Sequence, residues 1–256
     1  MKQVLIAVAL MMNPASLLAQ DVLFLGETHD NPGHHAEQAE RVKAAVPKAL
    51  VFEMLTPAQA SIVTPELMGD QAALESALDW GNSGWPDFAM YYPIFAAAQE
   101  AMIFGGAVPR EDARRIMSEP VEAVFGADAP VYGLDQALPE GQQAMREAMQ
   151  MSAHCDALPE NMLPMMVDMQ RLRDAALARA ATQAISQTGG PIVVITGNGH
   201  ARKDWGAPAI LAALTPDLDI YALGQGEDGA GDPSGVFDEI TFSPAVDRED
   251  PCAAFK

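Results

Sequence analysis

Lysine and arginine are scarce in this chain of 256 residues. Fifteen basic side chains stand against 35 acidic ones, which gives a formal net charge of -20. Nucleic acids and anionic membrane surfaces are bound through clusters of Lys and Arg. The composition therefore excludes nucleic acid as an expected partner and an anionic membrane face as an expected binding surface.

Cysteine is rarer still, because Cys155 and Cys252 are the only two. Two cysteines cannot build a four-cysteine zinc site or a framework of several disulfides. One bridge between them is allowed if the protein matures in an oxidising compartment. Nothing in their positions along the chain shows that they meet, so the sequence leaves the disulfide open.

Apolar runs long enough to cross a bilayer are also absent, so we predict no membrane span. The run from Val4 to Met12 is too short to span. It follows Lys2 and leads to the small-residue end Leu18-Ala19-Gln20, which is the pattern of a secretory signal. We predict a signal peptide over residues 1–19. No Cys follows it, which indicates a periplasmic or secreted protein without a lipid anchor.

Several catalytic signatures are missing as well. The sequence has no His-Glu-x-x-His pair, no Gly-x-Ser-x-Gly elbow and no glycine-rich phosphate loop. These absences exclude the common zinc peptidases, the serine enzymes of the α/β-hydrolase type and the P-loop nucleotidases. Any reactive site must therefore be assembled from residues that lie far apart in the chain.

Short apolar runs alternate with helix-forming segments along residues 20–256. Runs of this kind, bounded by Gly and Pro, are typical of strands buried on both faces of a parallel sheet. We predict a single-domain α/β fold with a central, mainly parallel sheet flanked by helices. The predicted strands are 22–25, 49–52, 102–104, 191–195 and 219–223, with an edge strand at 236–242.

The sequence also predicts an amphipathic helix over 92–100, a flexible acidic loop over 224–235, and a loop over 80–86 whose two tryptophans cap the core or form a wall for a flat ligand. In the long helix predicted over 159–187, the spacing indicates that Arg173 and Asp174 could face one site together.

Three of these strands are followed by side chains that can act in catalysis or bind a ligand. Glu27 and His29 follow the first strand, Glu53 follows the second, and His200 closes Gly197-Asn198-Gly199-His200 after the fourth. Parallel strands present their carboxyl ends at one edge, where ligands bind in open α/β sheets. We expect a composite site there, with Glu27 and Glu53 as neighbours because a βαβ unit joins their strands.

Two neighbouring carboxylates raise one another's pKa, so something must relieve the repulsion. One solution is a divalent metal, zinc or manganese, held by Glu27, His29 and His200. Another is a guanidinium from Arg173 or Arg202, and a third is a shared proton. The plain alternative is that each group only caps a turn or satisfies a local hydrogen bond. The residues alone leave these open.

The order of motifs resembles the ChaN-like haem-binding uptake proteins, a family in one superfamily with the Tiki proteases and the erythromycin esterases. The matching segments are Leu25-Gly26-Glu27-Thr28-His29-Asp30-Asn31-Pro32, His34-His35, Phe52-Glu53-Met54, His154-Cys155, Gln170 to Ala175 and Gly197-Asn198-Gly199-His200. Two departures stand out. Family members often carry a lipid-anchor Cys, and an Asn is expected before Pro109-Arg110.

The resemblance implies haem binding in connection with iron uptake, with the haem iron held by a tyrosine and haem sandwiched in a homodimer. Tyr92 best matches the family's tyrosine segment, and His154 and Arg173 are the other implied haem contacts. The wider superfamily implies an alternative, a metal-dependent peptidase or esterase. Its catalytic residues would be Glu27, His29, Glu53 and His200.

Overall fold

A computed structural model describes residues 20–250 and 252–253; the predicted signal peptide lies outside the described residues. Six strands form one sheet in the order β3-β2-β4-β1-β5-β6, and every neighbouring pair is parallel. The α/β fold predicted from the sequence is confirmed. The strands are β1 (Val22–Leu25), β2 (Ala49–Phe52), β3 (Met102–Gly105), β4 (Ile192–Ile195), β5 (Ile220–Glu227) and β6 (Glu239–Ser243).

Helices cover both faces of this sheet. Within the described residues none of them is both long and apolar enough to cross a membrane. The helices are α1 (Pro32–Ala45), α2 (Pro57–Ala60), α3 (Pro65–Met68), α4 (Gln71–Ala77), α5 (Phe88–Ala96), α6 (Arg110–Arg115), α7 (Val121–Phe125), α8 (Glu140–Ala153), α9 (Leu163–Thr188), α10 (Asn198–Ala201) and α11 (Ala207–Leu214).

The middle of the sheet forms the core. All residues of β1, β2 and β4 are buried. Because successive side chains of a strand point to opposite faces, each strand supplies two clusters. Leu23 and Leu25 join one cluster with α5, whereas Val22 and Phe24 join the other with α9. Burial on both faces is why these strands appear in the sequence as continuous apolar runs.

The sheet order corrects one expectation about the strand ends. β4 pairs with β1 on one side and with β2 on the other, so it separates the strands that carry Glu27 and Glu53. The strands that carry the two carboxylates are therefore not adjacent, contrary to the prediction from the βαβ unit, although His29 contacts both side chains. The βαβ rule fixes the hand of a crossover but leaves room for a later strand to insert between its two strands.

The segment from Gly224 to Glu227 corrects a second expectation, since the sequence predicted a flexible acidic loop over 224–235. β5 continues through it and pairs with β6. A Cβ on Gly224 would lie 2.8 Å from the Phe237 ring, and one on Gly226 would lie 2.6 Å from the Phe242 ring. These glycines make room for aromatic rings, so their presence did not mark a loop.

Helix α5 begins four residues earlier than the predicted helix over 92–100. The side chain of Asp87 caps it by accepting a hydrogen bond from the Ala89 amide at 2.9 Å. Pro93 lies inside the helix and is exposed. The earlier start turns Tyr91 into the sheet cluster.

The chain after β6 runs back to the carboxyl edge of the sheet. Arg248 forms ion pairs with Asp30 at 2.6 Å and with Glu227 at 2.6 Å. Four residues later Cys252 forms a disulfide with Cys155, which follows α8. The structure thus pairs the two cysteines, a question that the sequence had left open.

Candidate functional site

Glu27 lies directly beyond β1 and is buried. Its Oε1 accepts hydrogen bonds from His29 Nδ1 at 2.7 Å and from the Tyr91 hydroxyl at 3.0 Å, while His35 Nδ1 lies 3.3 Å from Oε2. Burial opposes ionisation, but the hydrogen bonds and charges of the two histidines hold the pKa of Glu27 at about 2. Glu27 is therefore a carboxylate at neutral pH.

Glu53 occupies the corresponding position beyond β2. Its Oε2 accepts hydrogen bonds from the Thr196 hydroxyl and the Gly197 amide, both at 2.7 Å. These donors belong to the turn after β4, which lies next to β2 in the sheet. Burial raises the pKa of Glu53, yet His200, His29 and the two donors together lower it below the ordinary value.

His29 connects the two carboxylates. Its Nδ1 is 2.7 Å from Glu27 and its Nε2 is 3.9 Å from Glu53 Oε1. The ring also packs at a tilt against Trp85, with the ring centroids 4.8 Å apart. Burial lowers the pKa of His29, but both carboxylates raise it, and the net shift is upward. The repulsion expected between two carboxylates is thus relieved by a histidine between them, whose protonation both carboxylates favour.

His200 lies on α10 and is held from two sides. Its Nδ1 is 2.6 Å from Asp174 Oδ1 and its Nε2 is 3.6 Å from Glu53 Oε1. The side-chain amide of Gln170 lies 3.2 Å from the same ring. Burial lowers the pKa of His200, whereas Glu53 and Asp174 raise it above its ordinary value. Burial also raises the pKa of Asp174.

A cleft opens beside these groups. It consists of two cavities, of about 370 Å³ and about 510 Å³, that share four lining residues. The smaller one also contains His29, Glu53 and His200, and the larger one contains Arg110. The shared residues are Trp85, Ala107, Val108 and Arg173. The histidines and Glu53 therefore face a space that a small ligand can enter.

Arg173 is exposed and makes no hydrogen bond or ion pair with any residue in the described part of the chain. The next residue of α9, Asp174, is buried and bound to His200. The sequence predicted that both would face the site, and the helix does bring both there. Arg202 instead pairs with Asp204 at 2.5 Å and stacks on Trp205.

The four residues proposed for a hydrolase, Glu27, His29, Glu53 and His200, lie together at the carboxyl edge of the sheet. The metal ligand set within them is not formed. Across residues 20–250 and 252–253, no group of three or more His, Cys, Asp or Glu side chains is arranged to hold a metal ion. The side chains form ion pairs with one another because their strand ends lie side by side instead of around one point.

The predicted haem contacts lie in different places. Tyr92 is on α5, where its ring packs against Phe88, and His154 follows α8, where its Nδ1 lies 2.7 Å from the Gln150 carbonyl oxygen. Neither lines the two cavities of the cleft, whereas Arg173 lines both. The roles of these three residues toward haem stay predictions.

Three other tyrosines already have partners within the protein. Tyr91 donates to Glu27 and Tyr221 donates to Glu239, while Tyr132 packs against two clusters of the core. Burial raises the pKa of each of these phenols, and for Tyr91 and Tyr221 the adjacent carboxylate raises it further. The hydroxyl of Tyr92 makes no hydrogen bond with any described residue, and its side chain is half-buried.

Sequence reasoning missed Tyr91 and His35, and it treated Trp85 mainly as a cap on the core. Tyr91 and His35 pack ring against ring at 4.2 Å, and both contact Glu27. Trp85 does pack against the core, and it also lines the cleft. The adjacent His34-His35 pair gave a signal for His35, but nothing near Tyr91 marked it as a partner of a residue 64 positions away.

A family model described as haem-binding uptake, Tiki superfamily, ChaN matches residues 14–211. The chain belongs to this family. Its fold is similar to that of ChaN of Campylobacter jejuni, whose structure is described as showing cofacial haem binding. That match has a TM-score of 0.63 and 17% identity, over 85% of this chain and 86% of that one.

The structure of the type III effector HopBA1 matches with a TM-score of 0.48 and 14% identity, over 91% of this chain and 92% of that one. No curated protein sequence matches the chain. The family assignment makes haem the ligand that this protein is expected to bind.

Proposed function

We propose that this is a periplasmic haem-binding protein connected with iron uptake, and that Tyr92 holds the haem iron. The family supports haem as the ligand. The residue assignment rests on the hydroxyl of Tyr92, which makes no hydrogen bond with any described residue. A tyrosine is an established ligand of ferric haem, and the hydroxyl of Tyr92 can bind iron without breaking a hydrogen bond inside the protein.

The other three tyrosines fit this role poorly. Ligation requires the deprotonated phenol, and burial raises the pKa of Tyr91, Tyr132 and Tyr221. Deprotonating Tyr91 or Tyr221 would also place a second negative charge against a carboxylate that now accepts its proton. The ring of Tyr92 packs against Phe88, which lies one turn earlier on the same helix, so Tyr92 has an apolar aromatic neighbour.

Two further parts of the proposal concern assembly and location. A haem shared between two copies of the chain would explain why its tyrosine lies outside the cleft, and cofacial haem binding is described for the Campylobacter jejuni protein. The disulfide between Cys155 and Cys252 supports an oxidising compartment. Amino-terminal sequencing of the periplasmic fraction, with the first residue at Gln20, would support the predicted cleavage.

The test is a hemin titration of the mature chain, followed by its Soret absorption. The wild-type protein should give a saturable spectrum of tyrosinate-ligated ferric haem, and Tyr92→Phe should lose that spectrum. Tyr132→Phe is the matched control, because it removes a phenol that packs against the opposite face of the sheet from Tyr92, and it should keep the spectrum. A wild-type spectrum in Tyr92→Phe would refute the assignment. Light scattering with and without hemin tests the homodimer.

The alternative function, a metal-dependent hydrolase built on Glu27, His29, Glu53 and His200, has weaker support. These side chains form ion pairs with one another, and no ligand cluster is formed by the described residues. Zinc or manganese bound stoichiometrically to the purified protein, together with only diffuse hemin association, would reverse this preference. The same sample used for the hemin titration provides that measurement.

A further inference from the structure

We propose that Arg173, together with Arg110, forms a subsite in the cleft that binds a carboxylate. Both guanidiniums line the 510 Å³ cavity. The carboxylate belongs to a haem propionate or to a small free acid, and the experiment below separates these sources. The propionate case rests on the proposed haem function, whereas the free-acid case does not.

The first argument is the unused charge of Arg173. In a chain with 35 acidic and 15 basic residues, a cation easily finds an acidic partner. Five of the ten arginines of the described chain do so. The arginines in ion pairs are Arg41, Arg115, Arg171, Arg202 and Arg248. Arg173 has no such pair, although its helix neighbour Asp174 is an acid and Glu53 lines the same cavity.

The second argument concerns Arg110. Its Nη2 donates to the carbonyl oxygens of Asn82 at 3.1 Å and of Ser83 at 2.7 Å, which fixes the guanidinium at the rim of the cleft. Its Nε and Nη1 donate to no described residue. A guanidinium held by one nitrogen is pre-oriented to use the others, and paired N–H groups match the two oxygens of a carboxylate.

The third argument is the character of the walls. Trp85, Ala107 and Val108 give the cleft an apolar side that suits the body of an organic acid. Glu53 and Asp79 also line it, so a single group with two negative charges meets repulsion there. A carboxylate carries one charge and is planar, which fits this mixture better than a phosphate dianion does.

The experiment compares Arg173→Gln with Arg114→Gln. Arg114 lies exposed on α6, the helix that begins with Arg110, and it lines neither cavity. The control therefore removes the same charge from a nearby helix without touching the cleft. The probes are benzoate, hemin and hemin dimethyl ester, whose propionates are blocked. Binding is measured by Soret titration for the two haems and by NMR line shifts for benzoate.

Loss of a charge-assisted carboxylate contact should weaken binding by about 10- to 100-fold. If Arg173→Gln weakens hemin but not its dimethyl ester, the subsite binds a propionate. If it weakens benzoate and leaves hemin unchanged, the subsite binds a separate small acid. In either case Arg173→Lys, which keeps the charge but not the paired N–H groups, should lose less affinity than Arg173→Gln. The affinity of Arg114→Gln should equal that of the wild type.

Two results would overturn the subsite. One is wild-type affinity of Arg173→Gln for both benzoate and hemin, and the other is an equal loss in Arg173→Gln and Arg114→Gln, which would indicate a general charge effect. Failure of the proposed haem function can be distinguished from failure of the subsite. In that case the wild-type protein would bind no hemin, while its binding of benzoate would still depend on Arg173. Thermal unfolding of each variant verifies that the fold is intact.

Discussion

The hydroxyl of Tyr91 donates a hydrogen bond to Oε1 of Glu27 over 3.0 Å, and this contact ties α5 to the carboxyl end of β1. Tyr92, the next residue, is turned away and keeps its hydroxyl uncommitted among the described residues. Successive helical residues point about 100° apart. One tyrosine of the pair therefore stabilises the site, and its neighbour remains available to a ligand.

Replacing Tyr91 by Phe should destabilise the fold. The substitution leaves the buried Glu27 carboxylate with one donor fewer, and loss of a hydrogen bond to a charged group costs about 1.5–3 kcal/mol. Urea unfolding measures this change. Tyr92→Phe is the control and should change the free energy of unfolding by less than about 0.5 kcal/mol. Equal effects of the two substitutions would contradict the division of roles between the tyrosines.

Replacing Asp174 by Asn should lower the pKa of His200. After burial, which lowers this pKa, the charges of Glu53 and Asp174 are the main influences and both raise it. The variant removes one of them and keeps the side-chain shape. NMR titration of the His200 ring signals gives the pKa directly. Asp168→Asn, which removes the surface partner of Arg171 on the same helix, should leave the pKa of His200 unchanged.

The contribution of Glu27 to the stability of the fold should be largest over an intermediate range of pH. The pKa of Glu27 is lowered from 4.5 to about 2, so its contribution is present above pH 4.5 and is lost as the pH falls toward 2. The pKa values of His29 and His35 are raised above 6.5. Their contribution is complete below pH 6.5 and is lost as the pH rises through the raised values.

The difference in unfolding temperature between wild type and Glu27→Gln should therefore be largest between pH 4.5 and 6.5. Circular dichroism melts at a series of pH values measure it. The half-buried His29 allows a second variant, His29→Gln. Its difference in unfolding temperature from the wild type should also decrease at high pH. A difference that stays constant across the whole range would count against the ion-pair cluster.

The strand positions were accessible from the sequence because burial on both faces leaves an uninterrupted apolar run. All six strands lie where these runs are, although β6 begins three residues after the predicted 236. The edge strands gave weaker signals, since an edge is only partly covered. Gly224 and Gly226 misled the prediction because a sequence does not show which aromatic ring packs against a glycine.

The sequence by itself determined that Glu27, Glu53 and His200 follow strands of one parallel sheet, since chain direction sends all their carboxyl ends to the same edge. Only the tertiary structure decided which of them meet. The insertion of β4 between β1 and β2 separates Glu27 from Glu53, and His29 joins them. Pairing across a sheet depends on strand order, which is set by packing among distant segments and not by any local pattern.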